Sequence, residues 1–428
     1  MTEFNNREDL RLSLKFGFLG IGMGGNAIAY ECASIRTKTV NLHNPYNAIL
    51  INTNEVDLQR FKEQSNIKKY QLKGYEKGAG RDPEIGEEAF KAHKDEIISL
   101  IKSHFSDRDY VWIVVGLGGG TGTGGLLEAV RAVLNAGFQK RCGFILTMPR
   151  DQEGLHVLEN AIDRLQTFSQ AMNSLGGILP IDNQKLYQTF IENKPTATIN
   201  EYLDFSNKFI AETLHEWNVV TASFEPIGGY HFDSSEFANT LSTPGILSLG
   251  KVTYEARNID VEQDASYLPA FRNSIEKGIL SEGYNFNDAK RLAVSVVASK
   301  ANAERIFNMK FNNKIEATIE SLAPLAGEKP ISAYQDEKAK VKVTLYSIIA
   351  GLKLPNRVKD MVTKTIELNK LNERETEDDV FSSLQTFSKK KKESTTLDID
   401  NLFAPTNKDL PKREETNEID PFNFIKNN

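Results

Sequence analysis

In the first half of the chain, apolar residues fall into two kinds of run. Leu12–Leu19, Asn47–Ile51, Tyr110–Val115 and Cys142–Thr147 are short, nearly continuous apolar stretches. That is the pattern of strands buried on both faces. Ala27–Ile35 and Leu126–Asn135, by contrast, carry apolar residues at helical spacing. Strands separated by helices predict an α/β fold on a mainly parallel sheet with helices on both faces.

Further along, Thr198–Val220 reads as one long amphipathic helix. Its apolar residues Ile199, Leu203, Ile210, Leu214 and Trp217 recur at helical spacing, and Pro195 precedes it. After Pro226 the pattern changes. Arg291–Ser299 and Lys340–Ile349 are the clearest strands, and Val341, Val343 and Leu345 alternate with Lys340, Lys342 and Thr344. This alternation predicts a sheet with one wet face, in a smaller α+β domain that ends in a helix near Val358–Leu371. From Asn372 onward charged and polar residues dominate, apolar ones occur as isolated pairs and triplets, and a basic run stands at Lys389–Lys392. Such a segment buries too little to offset its ordering entropy, which predicts a disordered tail. The expected organisation is therefore residues 1–197, a connecting helix at 198–222, a second domain at 223–371 and a flexible charged tail at 372–428.

Composition narrows the function classes. The 428 residues are 40% hydrophobic and 26% charged, with a net charge of −6. A mildly acidic chain argues against whole-surface DNA binding. Two cysteines, Cys32 and Cys142, exclude a disulfide scaffold and suit a reducing cytosol. The six histidines show no pair at metal-ligand spacing, and no metal-ligating residues are assigned. No apolar run reaches the ~18 residues a membrane helix needs. Met1–Lys15 is polar and lacks a signal-peptide core. The expected location is cytoplasmic, with no membrane partner.

Two glycine runs carry the candidate chemistry. Gly20–Asn26 (GIGMGGN) follows a predicted strand and opens a predicted helix. Glycines let the backbone approach a phosphate, and a helix N-terminus presents unpaired N–H groups. The second run, Gly116–Gly125 (GLGGGTGTGG), again lies between a buried strand and a helix. Successive N–H groups can form an anion nest, and Thr121 and Thr123 add hydroxyls. A flexible linker would not interrupt a YVWIVV strand and a LLEAVRAVL helix. No lysine follows the glycines, so this is not the GxxxxGK[ST] loop. Two such turns in one domain point to one ligand with a long polyphosphate. A hydride-transfer enzyme needs only one.

Taken together, these segments resemble the tubulin/FtsZ superfamily of GTPases. Gly118–Gly124 (GGGTGTG) is similar to the superfamily's signature loop, and Gly20–Asn26 to its first phosphate loop. Ile51–Asn54, Gly78–Gly86 and Thr147–Pro149 with Glu153–Gly154 match, in order, the segment after the second strand, the γ-phosphate-sensing loop and the ribose loop. The resemblance covers roughly residues 12 to 260. It implies a Rossmann-like GTP-binding domain, GTP/GDP with Mg²⁺ as cofactors, and nucleotide contacts from Gly22, Met23, Gly24, Asn26, Asn52, Ala79, Gly80, Arg81, Gly118, Gly119, Gly120, Thr121, Gly122, Thr123, Pro149 and Glu153. The guanine contact falls on Asn207. Leu203 departs from the aromatic residue usual four positions earlier, with Tyr202 or Phe205 as substitutes.

The resemblance also places catalytic acids in the loop His231–Asn239, at Asp233 and Glu236. On one helical turn, two acids three apart share a face and can point at one water; they are also ordinary helix N-terminal acids. In the superfamily such acids act on the nucleotide of the next subunit, which implies head-to-tail filaments with assembly-dependent GTP hydrolysis. Val157 stands where FtsZ has an arginine after the ribose loop, and His-Phe-Asp-Ser-Ser-Glu replaces the Asn-Val-Asp-x-x-Asp of FtsZ. Both favour the plasmid- and phage-borne TubZ branch over cell-division FtsZ. The implied function is partition of plasmid DNA through a DNA-binding adaptor held by the C-terminal tail; the alternatives are FtsZ-type division and a phage positioning filament. Two rivals from other classes remain at this stage, a monomeric nucleotide-using enzyme and a non-hydrolysing filament protein.

Overall fold

In the computed structural model, residues 7, 10–37, 44–171, 175–228 and 231–377 are described. Two compact units are distinguished, Met1–Val362 and Thr363–Asn428. The last described element is the helix Asn356–Glu377. The sequence expectation ended that helix near Leu371; it continues six residues further. The tail residues 378–428, with the basic run Lys389–Lys392, lie outside the described residues.

The described strands of the first unit form a single sheet. In chain order they are β1 (Phe16–Ile21), β2 (Asn47–Asn52), β3 (Ile67–Gln71), β4 (Tyr110–Gly116), β5 (Cys142–Met148), β6 (Gly177–Asp182), β7 (Glu225–Pro226), β8 (Gly245–Glu255), β9 (Arg291–Ala298), β10 (Ile331–Gln335) and β11 (Lys342–Leu352). Spatially the order is β3-β2-β1-β4-β5-β6-β8-β11-β9-β10-β7. The first six are parallel throughout. Their 3-2-1-4-5-6 order is that of a doubly wound nucleotide-binding sheet, whose ligand crevice opens where the order reverses, between β1 and β4.

β6 meets β8 over only two residue pairs, Gly177 with Gly245 and Ile178 with Ile246. Pairing stops two residues before Pro180, which has no N–H to donate. Beyond this narrow join, β11 runs antiparallel to both of its neighbours, β8 and β9. The wet face expected for β11 is not observed. Only its first positions alternate, and from Leu345 onward both faces are buried, Tyr346, Ile348 and Ala350 in the core that also holds Leu214 and Trp217. Val341 precedes the strand and is exposed.

The long helix spans Ile199–Ser223 and opens with a capping box, Thr198 bonding to the Glu201 N–H and Glu201 back to the Thr198 N–H. Its buried face differs from the expected one: Ile199 and Leu203 are exposed, and burial starts at Tyr202 and Ser206. Toward its C-terminal end, Leu214, Trp217, Val219 and Val220 join a core that contains Phe16, Phe18, Tyr110 and Trp112 from the first strands and Tyr346 and Ile348 from β11. Trp217 packs edge-on against Tyr346, with ring centroids 5.5 Å apart.

This helix also buries a polar triad. Asn218 Nδ2 donates to the Tyr46 hydroxyl (3.0 Å), which in turn lies 2.9 Å from His215 Nδ1. The Tyr46 hydroxyl thus links Asn218 and His215, and His215 Nε2 has no hydrogen-bond partner among the described residues. Burial pushes the imidazole down to about 4 from its usual 6.5. The unfolded chain thus takes up this proton before the folded one does. Stability from this group is complete above pH 6.5 and falls as pH drops toward 4, by about 2 kcal/mol at pH 5. Urea melts of the wild type and of His215→Gln at pH 7 and pH 5 check this. The stability difference between the two proteins is expected to move in the variant's favour by that amount on acidification. An unchanged difference refutes it.

Candidate functional site

Both glycine runs sit at the β1/β4 switch point. Each helix begins earlier than the apolar pattern indicates. One spans Gly22–Ser34 and the other Thr121–Asn135, so the glycines are themselves the first turns. Gly22 has φ +69°, a left-handed conformation that glycine adopts without strain. At Gly25, a Cβ would stand 2.1 Å from the Val114 carbonyl oxygen, so the absence of a side chain lets this helix lie directly on β4. Neither helix has a side-chain N-cap or an acidic residue in its first turn. Their leading N–H groups and positive dipole ends are left for an external anion.

The two turns meet in one cleft of about 510 Å³. Of the residues expected to hold the ligand, Gly22, Met23, Gly24, Asn52, Ala79, Gly80, Arg81, Gly119, Gly120, Thr121, Gly122, Pro149 and Glu153 line it. Arg81 is held at φ +66°, and its carbonyl accepts from Asn160 Nδ2 at 2.8 Å. Residues outside the expected contact set also reach the cleft, among them Thr53, which lies in the quoted Ile51–Asn54 segment, and Asp57, Lys77 and Asn183. Thr53 and Thr121 bring their hydroxyls to 2.8 Å. The signal for Asn183 was its place immediately after an apolar run, at the carboxyl end of β6, where α/β sheets carry ligand contacts.

Four expected residues do not line the cleft. Asn26 is fully buried, and its amide bonds both the Ile51 N–H (3.1 Å) and the Ile51 carbonyl (3.0 Å), clamping the Gly22–Ser34 helix to β2. Thr123 Oγ1 accepts from the Gly118 N–H at 2.9 Å, so this pair sets the curl of the second glycine loop. Asn207 is half-buried on the long helix. The aromatic substitutes weighed for Leu203 are engaged elsewhere. The Tyr202 hydroxyl donates to the Asn183 carbonyl (3.1 Å), and Phe205 packs on Phe190 at 5.0 Å.

Asp233 and Glu236 are likewise absent from the residues lining this cleft. Asp233 is not on the first helical turn but is the N-cap of the helix Ser234–Leu241. Its Oδ1 accepts from Ser235 N and Glu236 N (2.8 and 2.9 Å), while Glu236 Oε2 accepts from Asp233 N at 3.2 Å. The two carboxylates therefore form a capping box rather than converging side by side. β10 fixes the loop ahead of them: Ser332 Oγ accepts the Phe232 N–H (2.7 Å), and the Tyr334 hydroxyl donates to the Phe232 carbonyl (2.5 Å).

Against known proteins, residues 16–190 match the Tubulin/FtsZ family, GTPase domain, and residues 230–356 match the Tubulin-like protein TubZ, C-terminal domain. Tubulin-like protein TubZ of Bacillus cereus is 44% identical over 371 residues, covering 85% of each chain. Tubulin-like protein CetZ2 of Haloferax volcanii is 26% identical over 57% of this chain and 64% of its own. Among solved structures, a GTPγS-form protofilament of Bacillus thuringiensis serovar israelensis TubZ superposes with a TM-score of 0.74 at 20% identity, covering 86% of this chain and 96% of that one. The doubly wound sheet, the paired glycine turns and the two family matches agree: the chain belongs to the TubZ family of tubulin-like proteins and carries a tubulin/FtsZ-type GTPase domain.

Proposed function

We propose that the chain binds GTP in the glycine-loop cleft, polymerises head to tail and hydrolyses the nucleotide only where a second copy docks Asp233 and Glu236 against it. The carrying observation is the separation of parts: the phosphate-binding turns share one cleft, and the two acids are not among the residues that line it. One chain then holds half of each of two sites. A surface that meets a different surface of the next copy without closing generates a filament. The filament forms of TubZ-Bt and the GTPγS-form protofilament support this arrangement.

Within the cleft, the uncapped N–H groups after β1 and β4 would hold the phosphates. Lys77 and Arg81 add positive charge beside them. Mg²⁺ fits as an ion carried by phosphate and water, its usual mode of binding with nucleotides. No group of three or more potential His, Cys, Asp or Glu ligands occurs among the described residues, while Asp57 and the Thr53 and Thr121 hydroxyls do reach the cleft. Asp233 and Glu236 would orient the attacking water and accept its proton.

The cellular role that follows is segregation of plasmid DNA, through a DNA-binding adaptor gripping the C-terminal tail; one structural relative is described as a type III plasmid segregation TubZ. Many weakly binding tails along a filament give strong capture by avidity. No described helix is long and apolar enough to cross a membrane, and the proposed location is the cytoplasm.

Phosphate release from GTP, measured across protein concentrations with Mg²⁺, tests the shared site. The rate per chain is expected to be near zero below a threshold concentration and to rise steeply above it. A rate linear in protein from the lowest concentration refutes it and indicates a self-contained enzyme.

A further inference from the structure

One side chain from beyond the last strand reaches the nucleotide cleft's supporting loops. Arg357 stands in the first turn of the helix Asn356–Glu377, and its side chain is only 10% exposed. Its Nη2 donates to the Pro149 carbonyl at 2.8 Å. Its Nη1 lies 2.7 Å from Asp151 Oδ1 and its Nε 3.3 Å from Asp182 Oδ1. Asp182 in turn caps the helix Asn183–Asn193 by accepting from Gln184 N and Lys185 N. Gln184 Oε1 accepts the Asp151 N–H at 3.2 Å, closing the circle. The three cleft residues Pro149, Glu153 and Asn183 therefore sit on two segments that one guanidinium joins. Arg357 itself does not line the cleft.

We propose that Arg357 is a positioning residue for the nucleoside half of the ligand: by bridging Pro149, Asp151 and Asp182 it holds the post-β5 and post-β6 segments in register for binding. Charge and shape both matter here. The guanidinium is the more buried partner, and the two partly exposed carboxylates beside it offset its charge. Its planar guanidinium fork also hydrogen-bonds a carbonyl at one nitrogen while the other two stand within ion-pair distance of two carboxylates, a spread of positive charge that a compact ammonium does not reproduce. Linkage makes the effect reciprocal: a nucleotide that tightens these segments tightens their hold on Arg357, and through it on the segment following β11.

The inference presupposes a nucleotide seated in the glycine-loop cleft, so two controls separate the failures. GDP and inorganic tripolyphosphate binding to the full-length chain are measured by titration calorimetry. Arg357→Ala is expected to weaken GDP about 10-fold or more and to leave tripolyphosphate, which needs only the glycine loops, within about twofold. Arg357→Lys, which keeps the charge and loses the fork, is expected to fall between the two; it carries the test if the alanine variant does not fold. GDP affinity within twofold of wild type in the variant that folds overturns the proposal. So does an equal loss for both ligands, which marks Arg357 as a general structural tie. If Gly119→Val leaves GDP binding intact, the cleft assignment itself fails instead.

Discussion

Gly119→Val is expected to abolish nucleotide binding while leaving the fold intact. A Cβ at Gly119 meets no atom within 4 Å, and the residue lines the cleft. A valine there grows into the space that the phosphates would occupy. It forces no neighbouring atom aside and needs no left-handed backbone, so the nucleotide-free stability is expected to stay within about 1 kcal/mol of wild type. Loss of close backbone approach across a charged phosphate group is expected to weaken GTP and GDP at least about 100-fold, close to 3 kcal/mol. The neighbouring position is the contrast. A Cβ on Gly120 would stand 2.6 Å from Ala79 Cβ and 2.9 Å from Asp82 N, so Gly120→Val is expected to disturb the fold itself. Thermal melts with and without GDP distinguish the cases. Gly119→Val should keep its nucleotide-free melting temperature and lose the shift on adding GDP. A retained shift would remove the phosphates from this cleft.

The glycine loops were legible in the sequence because their constraint is local. A backbone that must pass close to a phosphate, or to another backbone, excludes side chains whatever the surrounding fold. The same glycines concealed where the helices start. They carry no apolar side chain to contribute to a helical pattern, so the first turns at Gly22 and Thr121 read as loop. β6 went unread because Pro180 interrupts it, and the proline is tolerated only because pairing to β8 has already ended. The alternation at Lys340–Leu345 misleads about β11 because it spans only the strand's first positions; beyond them the faces are covered by packed layers, one of them carrying Trp217 against Tyr346. Asn183 and Arg357 depend on contacts across the fold: one arrives at the cleft at the end of β6, and the other crosses from beyond β11. Neither lies in a glycine-rich signal; the short apolar run before Asn183 is the one local mark, and nothing local marks Arg357. Asp233 and Glu236 show the converse. Their spacing was read correctly, but the same spacing is that of a capping box, and the isolated chain uses it as one.

That double use decides how the acids must be tested. Alanine at Asp233 removes the N-cap as well as the carboxylate and costs about 1 kcal/mol of local stability, so a loss of turnover would have two causes. Asp233→Asn separates them, because asparagine caps a helix as well as aspartate does. Glu236→Gln likewise keeps the capping box, since glutamine serves at that position. Both variants are expected to fold, to bind GTP and to sediment as polymer. Their phosphate release per assembled chain is expected to fall by about 10²–10⁴, the usual contribution of a positioned general base. Both residues stay only partly buried, so a docking neighbour can still meet them. Because unhydrolysed GTP stays at the subunit contact, the variant filaments should also disassemble more slowly than wild type after free GTP is depleted. Turnover within about threefold of wild type in both variants would leave the two acids as a helix cap alone. Mixing gives the sharper result. Adding Gly119→Val chains, which keep their acids and lack nucleotide, to Asp233→Asn chains, which keep nucleotide and lack one acid, is expected to restore hydrolysis that neither performs alone. Only a site divided between two copies allows that complementation.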